Sequence, residues 1–578
     1  MNQSDQLYSL KYIDITCNEE NDLMTISSKW MNCLRTAFLV SAISLVFTGC
    51  QSQATAPSSD KTVQYNKSTE AALGTVTSKL KLADALTPMG TSNGVYYEIF
   101  VRSFYDTNGD GIGDLNGVSA KLDYLQELGV KHLWLMPINP SPSYHGYDVT
   151  DYYGINPDYG TMDDFKRLLE EAHKRDIKIV MDFVVNHTSS EHPWFKESMK
   201  GKDNPKRDWY MWAEDLKLDP AIRGAWGQQA WHERDGKHYL GVFWEGMPDL
   251  HMDNAEVRSE IKKAAQFWLK LGVDGFRLDA AKHVYEDFYN TSQNPDVVQN
   301  NQKWWQEFRQ AVQEVNPEAY LVGEVWDSPA VIGPFLKDGL HSAFNFDMAK
   351  RMISMVQDEK DSDIGSMMSR IYTFYSKQSD GKFVDASFLT NHDQNRVMSE
   401  LQGNVNHAKM AASVLLTLPG NPFIYYGEEI GMLGLKPDER LREPMKWTAD
   451  EKSAGMTTWE PSSSNKTVTP IEQQMKDPSS LWNHYKKLIA YRNSDKVLQQ
   501  GGIQSYKTNI SEVAGYYRAT KEDARLVLHN LSGKEQQIQL SADTAAVLET
   551  LVFSSVDGAA LKDGACTLPP YSTIVLAP

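Results

Sequence analysis

Gly275-Phe276-Arg277-Leu278-Asp279-Ala280-Ala281-Lys282-His283 is a short apolar strand, Gly275–Asp279, that runs into charged and polar residues. It directly follows an amphipathic helical pattern over Ala255–Leu271. A strand covered by a helix and ending on polar groups is the repeating unit of a parallel α/β fold. Arg277 stands two residues before Asp279, so on a strand their side chains share one face.

The unit recurs on both sides of this stretch. Strands read at Val95–Phe104, His132–Met136 and Ile177–Val185 before it. Others read at Tyr320–Val325, Ala343–Phe346, Ala386–Thr390 and Phe423–Tyr426 after it. Between them lie amphipathic patterns such as Ser119–Leu128, Met162–Arg175 and Asn406–Leu418. Val180, Val184 and Val185 belong to a near-continuous apolar run, as expected of a strand covered on both faces. Eight strand–helix units predict an α/β fold of the (β/α)8 TIM-barrel type. Between His187 and Ala255 lie about 65 residues rich in Trp, Tyr, Asp and Gly, too long for a simple connection and read as an inserted domain after strand three. After Asn493 short segments at Glu512–Tyr517, Arg525–Leu531 and Thr573–Leu576 predict a C-terminal antiparallel β-sandwich. Residues 91–187 and 255–495 are thus read as the two parts of the barrel, 188–254 as the insertion and 496–578 as the C-terminal β domain.

Composition bounds the function. The 578 residues are 41% hydrophobic and 23% charged, which is ordinary for globular chains. Net charge is −18, with 58 Lys+Arg against 76 Asp+Glu and no sustained basic stretch, so a nucleic-acid partner is excluded. An aromatic share of 11%, with 15 Trp and 27 Tyr, suits sugar faces but equally suits core packing.

Residues 1–50 read as an upstream extension plus a secretory signal. Lys29 and Arg35 precede the apolar run Ala37–Phe47, and Thr48-Gly49-Cys50 closes it with small residues. The run is short for a membrane span. The pattern is that of a bacterial lipoprotein, with Cys50 as the lipidated first residue, Met24 or Met31 as alternative starts, and the protein on the outer side of a membrane. Of the four cysteines, Cys17, Cys33, Cys50 and Cys566, only Cys566 would then stay free, so no disulfide framework is expected. Residues 51–90, rich in Ser, Thr, Ala and Lys, read as a linker with a weak helical pattern over Glu70–Leu86.

Strand ends carry the chemistry of a TIM barrel. Beside Asp279, strand five ends in Gly323-Glu324-Val325-Trp326, strand seven in Thr390-Asn391-His392-Asp393-Gln394-Asn395-Arg396, and strand three in Asp182-Phe183-Val184-Val185-Asn186-His187. Two carboxyls flanking one sugar carbon are what glycoside hydrolysis requires. Arg277 should favour an ionised Asp279, and the apolar neighbours of Glu324 should keep a proton on it. A separate loop, Asp106-Thr107-Asn108-Gly109-Asp110-Gly111-Ile112-Gly113-Asp114, repeats hard oxygen ligands at every second residue and predicts a cation site.

From about Gly94 to the C-terminus these segments resemble the α-amylase family of glycoside hydrolases. The resemblance implies Asp279 as nucleophile, Glu324 as proton donor, and Asp393 as the group that distorts and stabilises the substrate. It implies that His187, Arg277 and His392 hold the reacting sugar, that Tyr147 is a stacking platform, and that Asp148 with Arg396 clamps the sugar's non-reducing end; an Asp–Arg structural ion pair is the competing reading. Lys282 and His283 resemble the pair that contacts leaving-group sugars. The loop residues Asp106, Asn108, Asp110, Ile112 and Asp114 resemble the family's Ca²⁺ or Mg²⁺ site, and Asn186 with the His283 carbonyl resembles a second one. Met247-Pro248-Asp249-Leu250-His251 is similar to the signature of members between oligo-1,6-glucosidases and neopullulanases, with His251 where that group carries Asn. The resemblance implies a hydrolase of α-glucans, acting on α-1,4 bonds of starch or maltodextrins, and the chain is read as a monomer. The alternatives are an oligo-1,6-glucosidase, a neopullulanase or a transglycosylase on the same scaffold, or a non-catalytic glucan-binding lipoprotein.

Overall fold

The computed structural model describes residues 75–224, 226–285 and 295–578. The apolar run before Cys50, Cys50 itself and most of the linker lie outside them. Among the described residues no helix is long and apolar enough to cross a membrane.

Eight parallel strands form one sheet: Tyr96–Ile99, His132–Leu135, Lys178–Val184, Gly275–Asp279, Tyr320–Gly323, Ser342–Ala343, Ala386–Phe388 and Asn421–Tyr425. Counted in that order, they neighbour one another as 6-5-4-3-2-1-8-7. A parallel bridge from Phe344 to Ala386 joins the two ends, so the sheet is a barrel. Every residue of the fourth strand is buried, as both faces are covered. The helix before it starts on an Asn254 cap whose side chain accepts from the Glu256 and Val257 amides. It ends at Gly272, whose φ of 111° is one that glycine adopts without a Cβ clash. Val257, Ile261, Ala264, Ala265, Trp268 and Leu269 are its buried stripe.

Inward-pointing residues sort into two layers. Tyr96, Trp134, Val180, Val322, Phe344, Phe388 and Phe423 pack into an apolar floor. Glu98, Asp182 and Arg277 lie two residues further along their strands than Tyr96, Val180 and Gly275, and so share their inward face. The charged groups therefore stand on the floor, toward the strand ends where the loops gather.

Three local expectations change. The buried run Val95–Phe104 is not one strand: it is a strand to Ile99 and then a helical turn over Val101–Phe104. All ten residues are buried, so hydrophobicity alone carries no period that separates the two. The helix expected over Ser119–Leu128 is two, Leu115–Ala120 and Leu122–Leu128, which meet at Lys121. Residues 75–89, read as linker, are packed: Leu82 and Ala85 are buried with Leu526, Leu528 and Ile574 of the C-terminal sheets. Those sheets are antiparallel, one of five strands and one of three. Within the insertion, the hairpin of Trp231–Arg234 and Lys237–Leu240 holds a small core of Ala213, Ala230, Trp231, Leu240 and Val242.

Candidate active site

Arg277 is fully buried and organises three carboxyl groups. Its Nη1 donates to Asp279 at 2.6 Å and to Asp182 at 3.0 Å. Its Nη2 lies 2.9 Å from Glu324, but without the alignment of a hydrogen bond. Trp134 and Tyr147 stand against the guanidinium, and both donate to the far oxygen of Asp182. Removing a cation so placed leaves buried carboxylates uncompensated, a loss of about 3–5 kcal/mol in comparable cases.

The two carboxyls at the ends of strands four and five are placed differently. Burial raises both Asp279 and Glu324 above their ordinary range, and Arg277 opposes this in both. Asp279 also receives the aligned Arg277 hydrogen bond and the field of His392. Asp393 raises both groups, and Glu324 faces the charge of Asp279 in addition, with only the Ala280 amide and the unaligned Arg277 on the other side. The aligned hydrogen bond from Arg277 therefore favours the negative charge on Asp279 over Glu324. Ala280 adopts a left-handed φ of 46°, and its amide donates to Glu324 Oε2 at 3.1 Å. Bridging the two candidate groups in this way is a use for the strain of a non-glycine residue there.

His392 and Asp393 close the other side. His392 Nδ1 is 2.6 Å from Glu98, and its Nε2 is 2.6 Å from the Tyr147 hydroxyl and 3.0 Å from Asp393. The rings of Tyr147 and His392 stack at 5.5 Å. Although burial opposes it, His392 and Arg442 hold Asp393 well below the usual carboxylate range. His187 is buried with Nε2 unpartnered, and burial lowers it to about 4, so it is a neutral ring with a free nitrogen.

The remaining predicted residues divide. Lys282 pairs with Asp327 at 2.9 Å, and His283 meets the rings of Trp226 and Phe243 edge-on. Asp148 is held by two hydroxyls, Ser141 at 2.6 Å and Ser143 at 2.9 Å. Arg396 is not its partner, which corrects the clamp expectation. Its guanidinium turns back to the eighth strand, donating to the Tyr426 and Leu441 carbonyls and lying against the Tyr425 and Tyr426 rings. The arginine that does reach the site is Arg442. Its Nη2 donates to Asp393 at 2.9 Å and its Nε to the His392 carbonyl at 3.1 Å. Arg442 lies in a loop with no periodic signal, so charge alone marked it. Glu98 had a clearer mark: a single acid in the apolar strand Tyr96–Ile99, where a charge must be buried and paired.

The loop 106–114 curls on its own side chains. Asp106 accepts from the Asn108, Gly109 and Gly111 amides, and Asp110 from the Ile112 amide. Asp114 accepts from the Thr107 amide and caps the helix that follows. Gly111 has a φ of 90°, and a Cβ there would meet Thr458 Oγ1 at 2.5 Å. Among the described residues no three Asp, Glu, His or Cys side chains converge as a ready-made metal cluster. Asn186 donates to Asp249 at 3.2 Å and lines, with His283, a cavity of about 170 Å³.

Comparison with known proteins agrees with this geometry. Residues 98–501 match the family model described as alpha amylase, catalytic domain, and residues 513–575 match that of the alpha-amylase SusG C-terminal domain. The chain is 42% identical over 486 residues to "Alpha-amylase 3" of Dictyoglomus thermophilum, covering 84% of this chain and 93% of that one. It is 34% identical over 539 residues to "Oligo-1,6-glucosidase" of Parageobacillus thermoglucosidasius, covering 80% and 94%. Among solved structures, an alpha-amylase from H. orenii superposes with a TM-score of 0.77 at 43% identity, covering 84% of this chain and 99% of that one.

Proposed function

Because the chain belongs to the α-amylase family of glycoside hydrolases, we propose that it is a retaining enzyme that cuts α-1,4 bonds of starch or maltodextrins through a covalent glycosyl-enzyme. The observation that carries this reading is the asymmetric contact of Asp279 and Glu324 with one guanidinium, hydrogen-bonded for the first and only Coulombic for the second. Two carboxyls that share one guanidinium are near neighbours, which suits the ~5–5.5 Å spacing of retaining enzymes better than the ~6.5–9.5 Å that leaves room for water in inverting ones. Asp279 then attacks the anomeric carbon while Glu324 protonates the leaving oxygen, and Glu324 returns as base to activate water. Asp393, held ionised, stabilises the positive charge that develops on the sugar.

Cleavage within α-1,4 chains is supported by the state of Asp148. Its carboxylate is bonded to Ser141 and Ser143, and Arg396 is turned to the Tyr426 and Leu441 carbonyls, so these two do not close the non-reducing side of the reacting sugar with an ion pair. A chain extending beyond that sugar is then accommodated. Products from maltoheptaose, panose and pullulan test the specificity. Maltose and longer maltodextrins from maltoheptaose, with slow turnover of panose, are expected. Release of glucose alone, with panose the better substrate, rejects the α-1,4 assignment in favour of an α-1,6 exo-glucosidase.

The loop 106–114 fits a hard cation in its donor chemistry. Asp106, Asn108, Asp110 and Asp114 supply side-chain oxygens and Ile112 a carbonyl, and each carboxylate has lone pairs beyond the amides it accepts. A bound Ca²⁺ or Mg²⁺ would tie the loop together without entering the reaction. Binding only to the native state stabilises by mass action, about 2.7 kcal/mol at a hundredfold excess over Kd. Chelation with EDTA is therefore expected to lower Tm, with one equivalent of metal found by elemental analysis beforehand. An unchanged melting curve and no metal reject the site.

A further inference from the structure

We propose that Glu98 is a positioning residue for the reaction: it holds His392 as an imidazolium, and that cation keeps Asp393 ionised and in place. The inference rests on the role assigned to Asp393 above and adds a residue beneath it.

The place of the ring between two carboxyl groups carries the argument. Glu98 is 2% exposed, and its Oε1 is 2.6 Å from His392 Nδ1. On the other side of the ring, Nε2 is 3.0 Å from Asp393 Oδ2, an ion-pair contact, so the ring stands between two carboxyl groups. Nε2 also lies 2.6 Å from the Tyr147 hydroxyl, but that hydroxyl gives its proton to Asp182 at 3.1 Å and is left as an acceptor. With the hydroxyl's proton on Asp182, Nε2 is the donor toward Tyr147 and turns that N–H edge to Asp393. Nδ1 faces a second carboxyl, so one more proton lies between His392 and Glu98. Placed on the ring, that proton leaves one cation between two anions. Placed on Glu98, it leaves a neutral ring against an ionised Asp393.

The surroundings favour the ring. Burial opposes a charge on His392, yet Asp393 and Glu98 together raise it to about 9. Burial raises Glu98 as well, but His392 and Arg277 oppose that shift. Arg277 and Arg442 are the cations near this pair: the first stands beyond Tyr147 and Asp182, and the second donates to the His392 carbonyl and to Asp393. Asp279 adds negative charge from strand four. Glu98 is buried, 2% exposed, and meets the site through the His392 ring, so it acts through that ring.

Glu98→Gln keeps the side chain's size and its hydrogen bond but removes the charge. An opposite charge at this range is worth about 1–3 pKa units. In the variant, His392 should therefore lose its proton about 1–3 pH units lower than in the wild type. The alkaline limb of kcat/KM on maltoheptaose is expected to move down and to steepen, as loss of the His392 proton joins that of Glu324, with the acid limb unmoved and circular dichroism native. The ring can be read directly by ¹⁵N-histidine NMR, with His392 assigned through His392→Gln. Wild-type His392 is expected to show two protonated nitrogens at pH 7.5, and Glu98→Gln one. A neutral His392 in the wild-type protein overturns the proposal, as does a Glu98→Gln limb that stays in place while activity falls equally at every pH. If the variant does not fold, the wild-type spectrum decides. The spectrum is independent of which bond is cut, so its outcome is separable from failure of the hydrolase assignment.

Discussion

Asp279→Asn is expected to lower kcat on maltodextrins by on the order of 10⁴-fold or more, with little change in Tm or in oligosaccharide binding. The amide cannot attack the anomeric carbon, whereas it keeps the volume of the acid and an oxygen to accept from Arg277 Nη1, now at 2.6 Å from Asp279. The cation is not abandoned, because Asp182 remains at 3.0 Å and Glu324 at 2.9 Å. The fold also loses nothing by giving up a charge that burial opposes. A collapse of Tm would therefore show that Asp279 is chiefly structural. Wild-type turnover followed by NMR supplies the stereochemical half of the test, with the α-anomer appearing first from an α-linked substrate. Prompt release of the β-anomer would sink the covalent mechanism.

How much of this was legible in the sequence depended on whether a period or a strand end marked the residue. The helix Ala255–Leu271 and the strand Gly275–Asp279 have the bounds their patterns predict, because an amphipathic stripe and a covered apolar run each have a definite repeat. Val95–Phe104 has no such repeat, every residue being buried, and its last four residues turn into helix. Residues 75–89 were obscured by their Ser, Thr and Lys, although Leu82 and Ala85 among them are buried. Arg277, Asp279, Glu324, His392 and Asp393 converge because barrel strands deliver consecutive ends to one place. Arg396 and Arg442 lie on loops, where nothing in the spacing states which way a side chain turns. Arg396 follows the strand-seven residues in sequence yet points to the eighth strand, and Arg442 arrives from some fifty residues later, across a hydrogen bond with a sequence separation of 49 to Asp393.

Glu324→Gln is expected to separate substrates by their leaving groups. General acid catalysis contributes about 10²–10⁴-fold, and that loss should appear in kcat/KM for maltoheptaose, whose leaving oxygen must be protonated. Fluoride leaves a maltosyl fluoride without that proton, so its first step should be nearly unaffected. The second step still needs a base to activate water, and Gln cannot serve. The glycosyl-enzyme should therefore accumulate with the fluoride, visible as a burst and as a mass increment on the peptide carrying Asp279. The pH profile follows from the same group. Burial raises Glu324, with Arg277 opposing and Asp279 and Asp393 adding to the rise, so the proton is present at low pH and lost as pH increases. The part of the alkaline limb that Glu324 sets should vanish in the variant, leaving the later loss of the His392 proton, at about 9. Stability moves the other way: a carboxyl raised in the folded state weakens the fold as pH rises through its unfolded value, so the uncharged amide should leave Tm at neutral pH unchanged or higher. Equal losses on both substrates, with the alkaline limb unchanged, would remove Glu324 from the acid role and leave the proton to another group.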